Sequence, residues 1–279
     1  MADTSFFDSL TAVNGVQDTP YFGIVMGAGG VGKSYFCSYA DSPFFIPLEP
    51  GVDKIPVKKF PVLPATFDQF MDMMRWCTAN KKAQGIKTVV IDSAGFLEPL
   101  IYADIIKKNP YTEGKEPKEV QSIADYGFGK GYTKAIGYWE RVISSIRFMQ
   151  GRGMNVIIIT HTINKSQETP TGDSYKTIDM ALQSFGNSSV PELLKRAADF
   201  VFYMESQVMT MKAKSKFGAE QTRPIPGLSR SIAVHTRATG SFFAKVRAVD
   251  ERNIANCYEI RQDNYEEDSK KIFSDFLKL

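Results

Sequence analysis

Residues 27–34 read GAGGVGKS, the complete pattern G-x-x-x-x-G-K-[ST] of a phosphate-binding loop. The loop directly follows the apolar run YFGIVM of residues 21–26, so the order strand, glycine loop and helix that the motif requires is present. Its glycines allow backbone N–H groups to surround a polyphosphate at the start of the next helix. The motif predicts a nucleoside triphosphate site formed by Gly27, Ala28, Gly29, Gly30, Val31, Gly32, Lys33, Ser34 and Tyr35.

Two residues of this motif carry the chemistry that phosphate transfer needs. Lys33 places a positive charge at the β- and γ-phosphates, so we count it among the catalytic residues, and the Ser34 hydroxyl is placed to ligate Mg²⁺. The β-branched run of residues 87–91 predicts a second buried strand, and it ends in Asp92. Asp92 would therefore lie at the carboxyl edge of a sheet and hold the metal directly or through water. The cofactors we expect are ATP and Mg²⁺.

Two further predicted strands end in polar residues at the same edge. Residues 43–48 precede Glu49, whose carboxylate could orient or deprotonate the attacking water. Glu98 is the alternative base. Residues 155–160 follow a predicted helix (about 132–150) and precede His161, which could sense the γ-phosphate, although a loop histidine without a role is the alternative.

The composition favours one large folded domain. The chain has 279 residues, of which 43% are hydrophobic, enough for an α/β domain with extensions. No apolar run approaches the roughly 18 residues that span a bilayer, and the N-terminus lacks signal-peptide zones, so we expect a cytoplasmic protein without a membrane partner. The odd number and wide separation of the cysteines argue against a disulfide or zinc framework, and we interpret Cys37, Cys77 and Cys257 as buried thiols.

We expect three regions along the chain. They are an N-terminal arm over residues 1–20, an ATPase domain over 21–250 and a C-terminal extension over 251–279. Apolar residues at helical spacing predict an amphipathic helix in the extension. A capping box that starts at Ser189 predicts a short helix to about residue 198.

The order of these motifs resembles the RecA-like ATPase core. The resemblance implies an α/β fold with a mostly parallel central sheet flanked by helices, and a C-terminal β-hairpin region. In that family the catalytic glutamate ends the strand after the P-loop helix, which carries the role of base over to Glu49. Residue 93 is Ser, where AAA+ and ABC-type ATPases usually have a glutamate, and this residue sets the chain apart from those enzymes.

Within that superfamily the chain resembles short bacteriophage RecA-like ATPases that act in single-strand annealing or recombination. The segments that carry this resemblance are DYGFGKGY at residues 125–132, the pair Thr160-His161, and FAKVR at residues 243–247. The resemblance implies that Lys245 and Arg247 reach a neighbouring subunit's γ-phosphate from a late hairpin, as arginine fingers in trans within a ring or filament. Two cations at this spacing on a strand share one side. A solvated basic strand face is the alternative.

Three parts of the chain suit contact with nucleic acid. Residues 205–247 hold eight basic residues against two acidic ones, which favours a polyanion partner, with an ordinary solvated hairpin as the alternative. The basic residues are Lys212, Lys214, Lys216, Arg223, Arg230, Arg237, Lys245 and Arg247. Two long segments, about 104–133 and 162–190, are predicted as loops. They combine aromatic residues with lysines, the pair of features that binds single strands.

The sequence therefore predicts a DNA-stimulated ATPase that assembles as a homo-oligomer on single-stranded DNA and promotes annealing or strand exchange. The resemblance also allows a single-stranded-DNA-binding protein as a partner, and the host cytoplasm as the location if a phage encodes the chain. Two alternatives use the same core. One is a hexameric helicase or translocase motor, and the other is a regulatory P-loop ATPase that does not act on DNA.

Overall fold

The computed structural model describes residues 19–114, 116–168, 174–207, 210–214, 220–224, 231–247 and 254–277. Their strands are β1 Phe22–Gly27, β2 Pro43–Pro47, β3 Lys58–Lys59, β4 Thr88–Asp92, β5 Asn155–Glu168, β6 Ser174–Met180, β7 Ser184–Phe185, β8 Ser188–Ser189, β9 Phe200–Gln207, β10 Thr210–Lys214, β11 Glu220–Pro224, β12 Ser231–His235, β13 Lys245–Val246 and β14 Cys257–Ile260. The helices are α1 Lys33–Cys37, α2 Phe67–Ala79, α3 Lys81–Gln84, α4 Ala94–Lys108, α5 Lys130–Gly151, α6 Val190–Ala197 and α7 Tyr265–Leu277.

Ten strands form one central sheet in the order β14-β12-β9-β1-β5-β4-β2-β3, with β13 paired to β9 and β6 paired to β5. The six strands from β9 to β3 run parallel, and β12, β14, β13 and β6 are antiparallel. All residues of β1 and β4 are buried, because helices cover both faces of the sheet. The fold is therefore α/β with a mostly parallel sheet, as predicted.

Alternate residues of each central strand enter two different cores. Ile24 and Met26 of β1 belong to a core with residues of α2, α4, α5 and α6, whereas Val25 belongs to a second core. The second core includes Phe36 of α1 and Phe273 of α7. The C-terminal helix thus covers the same face of the sheet as the helix that follows the glycine loop.

The structure confirms the predicted strands at the glycine loop, Asp92 and His161, but β5 continues well beyond the predicted end at residue 160. It pairs with β6 from Thr162 opposite Met180 to Glu168 opposite Ser174. The prediction of a loop over 162–190 is therefore wrong for these residues. The paired segments of both strands are mostly polar, so no apolar run marks them, and their pairing depends on a partner strand rather than on a local pattern.

The structure also tests the predicted helix after Ser189, the predicted loop over residues 104–133 and the predicted burial of the cysteines. The helix from Ser189 is present, and the Ser189 hydroxyl accepts a hydrogen bond from the Glu192 amide. In the 104–133 segment, α4 extends to Lys108 and a 3₁₀ turn spans Ile123–Tyr126. Cys37 and Cys77 are buried, but Cys257 is exposed because it begins the edge strand β14, so that prediction is wrong.

The predicted division at residue 250 stays a prediction, although β14 beyond it joins the central sheet. Residues 1–18 of the predicted arm lie outside the described residues. Within the described ranges, no helix is both long and apolar enough to cross a membrane.

Candidate nucleotide site

The glycine loop connects β1 to α1 with the backbone conformation that its sequence requires. Gly32 has a φ of 98°, in the left-handed region, immediately before Lys33 begins α1. A Cβ atom at Gly32 would lie 2.9 Å from the Tyr265 hydroxyl, so both the backbone angle and the space favour glycine here. The loop thus leads directly into a helix N-terminus, the geometry that attracts phosphate.

The Lys33 side chain lies along the loop. Its Nζ atom donates hydrogen bonds to the carbonyl oxygens of Gly27 at 3.0 Å and Ala28 at 2.8 Å. Burial lowers the pKa of Lys33, and the nearby carboxylates of Asp92 and Glu49 act in the opposite direction. A phosphate at the loop would replace two main-chain acceptors with a charged one, to which this ammonium binds more strongly.

Ser34 and Asp92 meet where magnesium is expected. The Ser34 hydroxyl donates to Asp92 Oδ2 at 2.5 Å, and Asp92 is almost completely buried. Burial raises the pKa of Asp92 to about 6, the Ser34 hydrogen bond opposes the shift, and the charge of Glu49 adds to it. A buried carboxylate beside a hydroxyl is an all-oxygen donor pair, which fits Mg²⁺.

Glu49 and His161 lie beside this pair because three parallel strands end together. Pro47 of β2 is opposite Asp92 of β4, which is opposite Ile159 of β5. As a result, the Ser93 hydroxyl donates to Glu49 Oε1 at 2.8 Å, and His161 Nε2 lies 3.7 Å from the same oxygen. The side chain of Glu49 remains 23% exposed and that of His161 37%, so both can reach a ligand.

Sequence reasoning missed the role of Ser93. It fixes one carboxylate oxygen of Glu49, the proposed base, and leaves the other available. The signal was a hydroxyl residue directly after the metal-associated Asp92, at the same strand end.

Glu98, the alternative base, has a different set of contacts. It is on the second turn of α4, and its Oε1 accepts a hydrogen bond from the Gln183 amide at 2.7 Å. Burial raises the pKa of Glu98 to about 7. This contact joins α4 to the connection between β6 and β7, whereas Glu49 contacts the residues around Asp92.

Lys245 and Arg247 are not close to this chain's own glycine loop. Lys245 on β13 pairs opposite Val201 of β9, whereas Gly27 at the loop pairs opposite Met204 of the same strand. Met204 is three residues beyond Val201, so the two positions are about 10 Å apart along β9. Lys245 Nζ donates to the carbonyl oxygen of Lys195, and Arg247 Nη2 donates to that of Arg196 at 2.9 Å.

Lys245 and Arg247 both cap the last turn of α6, because their side chains donate to its final carbonyl oxygens. The C-terminal end of a helix favours positive charge. The strand that carries Lys245 pairs with β9 rather than forming the predicted late hairpin, while the hairpin of this region is β10 with β11. The side chains of Lys212, Lys214, Lys216, Arg223 and Arg230 in the basic stretch lie outside the described residues.

The two segments predicted to bind DNA are brought into contact. The rings of Tyr132 and Phe185 stack with centroids 5.2 Å apart, and the hydroxyls of Thr133 and Ser188 lie 3.0 Å apart. Phe128 lies at the tip of the first segment with its side chain fully exposed. Phe185 of the second segment is also exposed, so each of the two segments presents an aromatic ring at the surface.

Comparison with known proteins identifies the family. A family model described as "AAA domain" matches residues 19–248, a range that includes the glycine loop, Glu49, Asp92 and His161. No curated protein matches the chain. Among solved structures, a KaiC-like protein, PH0186 from the hyperthermophilic archaeon Pyrococcus horikoshii OT3, aligns with 13% identity and a TM-score of 0.40, covering 86% of this chain and 85% of that one.

The family's description does not support the contrast with AAA+ enzymes that Ser93 predicts. In this chain the P-loop and the carboxylate at the end of β4 lie on one edge of a mostly parallel sheet. The chain belongs to this AAA domain family, and its glycine loop is that of a P-loop ATPase.

Proposed function

We propose that this protein is a phage-type recombination ATPase that binds single-stranded DNA and uses ATP hydrolysis to promote annealing or strand exchange. The observation that carries the proposal is the path of β5. The strand reaches the nucleotide site at His161 and then continues, without interruption, into the hairpin with β6. Because the strand is continuous, a ligand at its nucleotide end would affect the hairpin.

The proposed hydrolysis uses the residues that surround Asp92. Glu49, held by Ser93, would orient the attacking water and accept its proton. Lys33 would leave the loop carbonyls for the phosphates, and Ser34 and Asp92 would hold Mg²⁺. When bound, Mg²⁺ would neutralise charge on the phosphate oxygens. His161 would sense the γ-phosphate through its position beside Glu49.

Two contacts support coupling from the nucleotide site to the proposed DNA surface. The amide of Ala181, after β6, donates to the carbonyl oxygen of His161 at 2.8 Å. The amide of Gln183, two residues farther, donates to Glu98, which lies on the helix that follows Asp92. The connection that leads to Phe185 is thus attached to both β5 and α4, so a shift of either element would move it.

The proposed DNA surface combines rings with positive charges. Phe128 and Phe185 are exposed at the place where the two segments meet. Lys130 follows Phe128, and Lys165 and Lys176 are exposed on the hairpin. Aromatic rings that stack on bases beside lysines that contact phosphates bind single strands with little dependence on sequence.

The proposal includes assembly with further copies of the chain. Lys245 and Arg247 lie toward the end of β9 that is remote from the chain's own loop, so they could complete only a neighbour's site. Such a site would form in a ring or a filament. A single-stranded-DNA-binding protein as a partner and a location in the host cytoplasm belong to the same proposal.

The test is steady-state ATP hydrolysis with and without single-stranded DNA over a series of salt concentrations. We expect DNA to stimulate hydrolysis and the stimulation to fade as salt rises, because phosphate contacts release counterions. Lys33→Ala and Glu49→Gln should abolish the stimulated rate. Hydrolysis that DNA does not change would favour the regulatory ATPase, and directional unwinding of a duplex would favour the helicase or translocase.

A further inference from the structure

Three tyrosine rings form a cluster beside the glycine loop. Tyr35 is on α1, directly after Ser34, and Tyr39 follows one turn later. Tyr265 begins α7, far away in the sequence. The ring centroids of Tyr35 and Tyr265 are 4.8 Å apart, those of Tyr35 and Tyr39 5.2 Å, and those of Tyr39 and Tyr265 6.1 Å. We call these three residues the tyrosine cluster.

The C-terminal helix fixes this cluster against the loop. The Tyr265 hydroxyl donates to the carbonyl oxygen of Gly32 at 3.1 Å. Two turns later, Phe273 stacks on Phe36 of α1 with centroids 4.6 Å apart and is buried. The α7 helix lies beyond residues 19–248, the range that the family model matches.

The order of the strands indicates which end of a bound nucleotide faces the tyrosine cluster. Glu49, Asp92 and His161 are on β2, β4 and β5, to one side of the strand that leads into the loop. The terminal phosphate must point toward these residues because they serve the attacking water. On the other side of β1 are β9, β12 and β14, and β14 leads to α7. The sugar and base therefore extend toward α7.

The surface of the tyrosine cluster suits a flat aromatic ligand. The Tyr35 side chain is 41% exposed, although two other rings contact it. Its hydroxyl accepts a hydrogen bond from the Tyr39 hydroxyl at 2.7 Å, which holds the ring in place. A ring that is fixed on one side and open on the other loses little conformational entropy when a base stacks on it.

We propose that the tyrosine cluster, with Tyr35 as the contact residue, forms the platform for the purine base of ATP. The inference rests on the proposed function, since it assumes that the loop holds the triphosphate. It adds a binding role to α7: the helix backs the platform through Tyr265 and joins it to the Gly32 carbonyl.

The test measures binding of MgATP and of magnesium tripolyphosphate to the full chain by isothermal titration calorimetry. Wild-type protein should bind ATP more tightly than tripolyphosphate, which lacks the base. Tyr35→Ala should weaken ATP binding about 5- to 150-fold, the usual contribution of one stacked base, and leave tripolyphosphate binding unchanged. Tyr35→Phe should bind ATP like wild type. Tyr111→Ala, at another exposed ring, is the matched control and should change neither ligand.

Several results would overturn the platform. Wild-type affinity for ATP in Tyr35→Ala would do so, and equal weakening of ATP and tripolyphosphate would mean that the ring acts only through the shape of the loop. Circular dichroism checks folding, and Tyr35→Leu, which keeps bulk without a π face, should reproduce the selective loss of ATP binding. Lys33→Ala should weaken both ligands. If wild-type protein binds neither ligand, the proposed nucleotide chemistry fails together with the platform.

Discussion

The sequence predicts two groups of residues at the nucleotide site, and the structure places them at opposite ends of the parallel strands. Glu49, Asp92 and His161 lie at the carboxyl ends of neighbouring parallel strands, and their polar atoms face one another. Lys245 and Arg247 lie toward the amino end of β9, and main-chain carbonyls of α6 accept their hydrogen bonds. The end of the strand, more than the type of residue, decides whether a charge can serve the chain's own site.

Replacing the candidate base should give the largest effect and test the first group directly. We expect Glu49→Gln to lower ATP hydrolysis by about 10²- to 10⁴-fold, because the amide cannot accept the proton of water. The affinity for ATP should stay near the wild-type value, since Glu49 contacts Ser93 and His161 rather than the loop. Single-turnover hydrolysis and equilibrium binding separate the two effects.

Glu98→Gln is the matched control for this substitution. Glu98 accepts a hydrogen bond from the Gln183 amide, and a glutamine carbonyl oxygen can accept the same bond, so this variant should hydrolyse ATP at nearly the wild-type basal rate. A basal rate that collapses in Glu98→Gln while Glu49→Gln stays active would exchange the roles of the two carboxylates.

A mixing experiment tests whether the second group acts on a neighbouring subunit. If Arg247 serves that subunit's site, Arg247→Ala should lower the rate by about 10²-fold, as loss of a preorganised charge does. Lys33→Ala should be inactive for a different reason, because its own loop is impaired. A mixture of the two inactive variants should regain part of the wild-type rate, since each retains what the other lacks.

A purely structural role of Arg247 makes the opposite prediction for the mixture. Arg247 would then only cap α6, so Arg247→Ala would lower the melting temperature and the mixture would show no more activity than the sum of its components. Arg247→Lys keeps the charge and can still cap the helix. It therefore separates loss of the cap from loss of the guanidinium group.

The first group was predictable because its signals are local. Strands buried on both faces must be continuous apolar runs, and the polar residues that end them fall on one sheet edge, as they do at Asp92. The β5–β6 hairpin was missed because the pairing of polar strands depends on a partner that no short pattern identifies. The contact of Tyr265 with Gly32 joins residues 233 positions apart, so only the packing of α7 could reveal it.

The smallest expected effect is a change in the free energy of unfolding when Asp92, or an aspartate outside the site, is replaced by asparagine. Burial raises the pKa of Asp92 to about 6, above its value in the unfolded chain. The folded state therefore binds the proton more tightly, and the stability that this contributes is present at low pH and is lost as the pH rises through about 6. Asp92→Asn removes this loss, so without Mg²⁺ it should raise the free energy of unfolding by about 1–3 kcal/mol at pH 8 and change it little near pH 4.

Asp104→Asn makes the same chemical change, but we expect the opposite effect on the free energy of unfolding. Hydrogen bonds from Lys108 and Tyr138 hold the pKa of Asp104 below its usual value against the effect of burial. This variant should therefore be less stable than wild type at pH 8, and the difference should shrink as the pH falls through the pKa of the folded state. Urea unfolding at both pH values measures the two differences. If both variants lose stability at pH 8, the carboxylate of Asp92 supports the fold without metal, and burial does not strain the site.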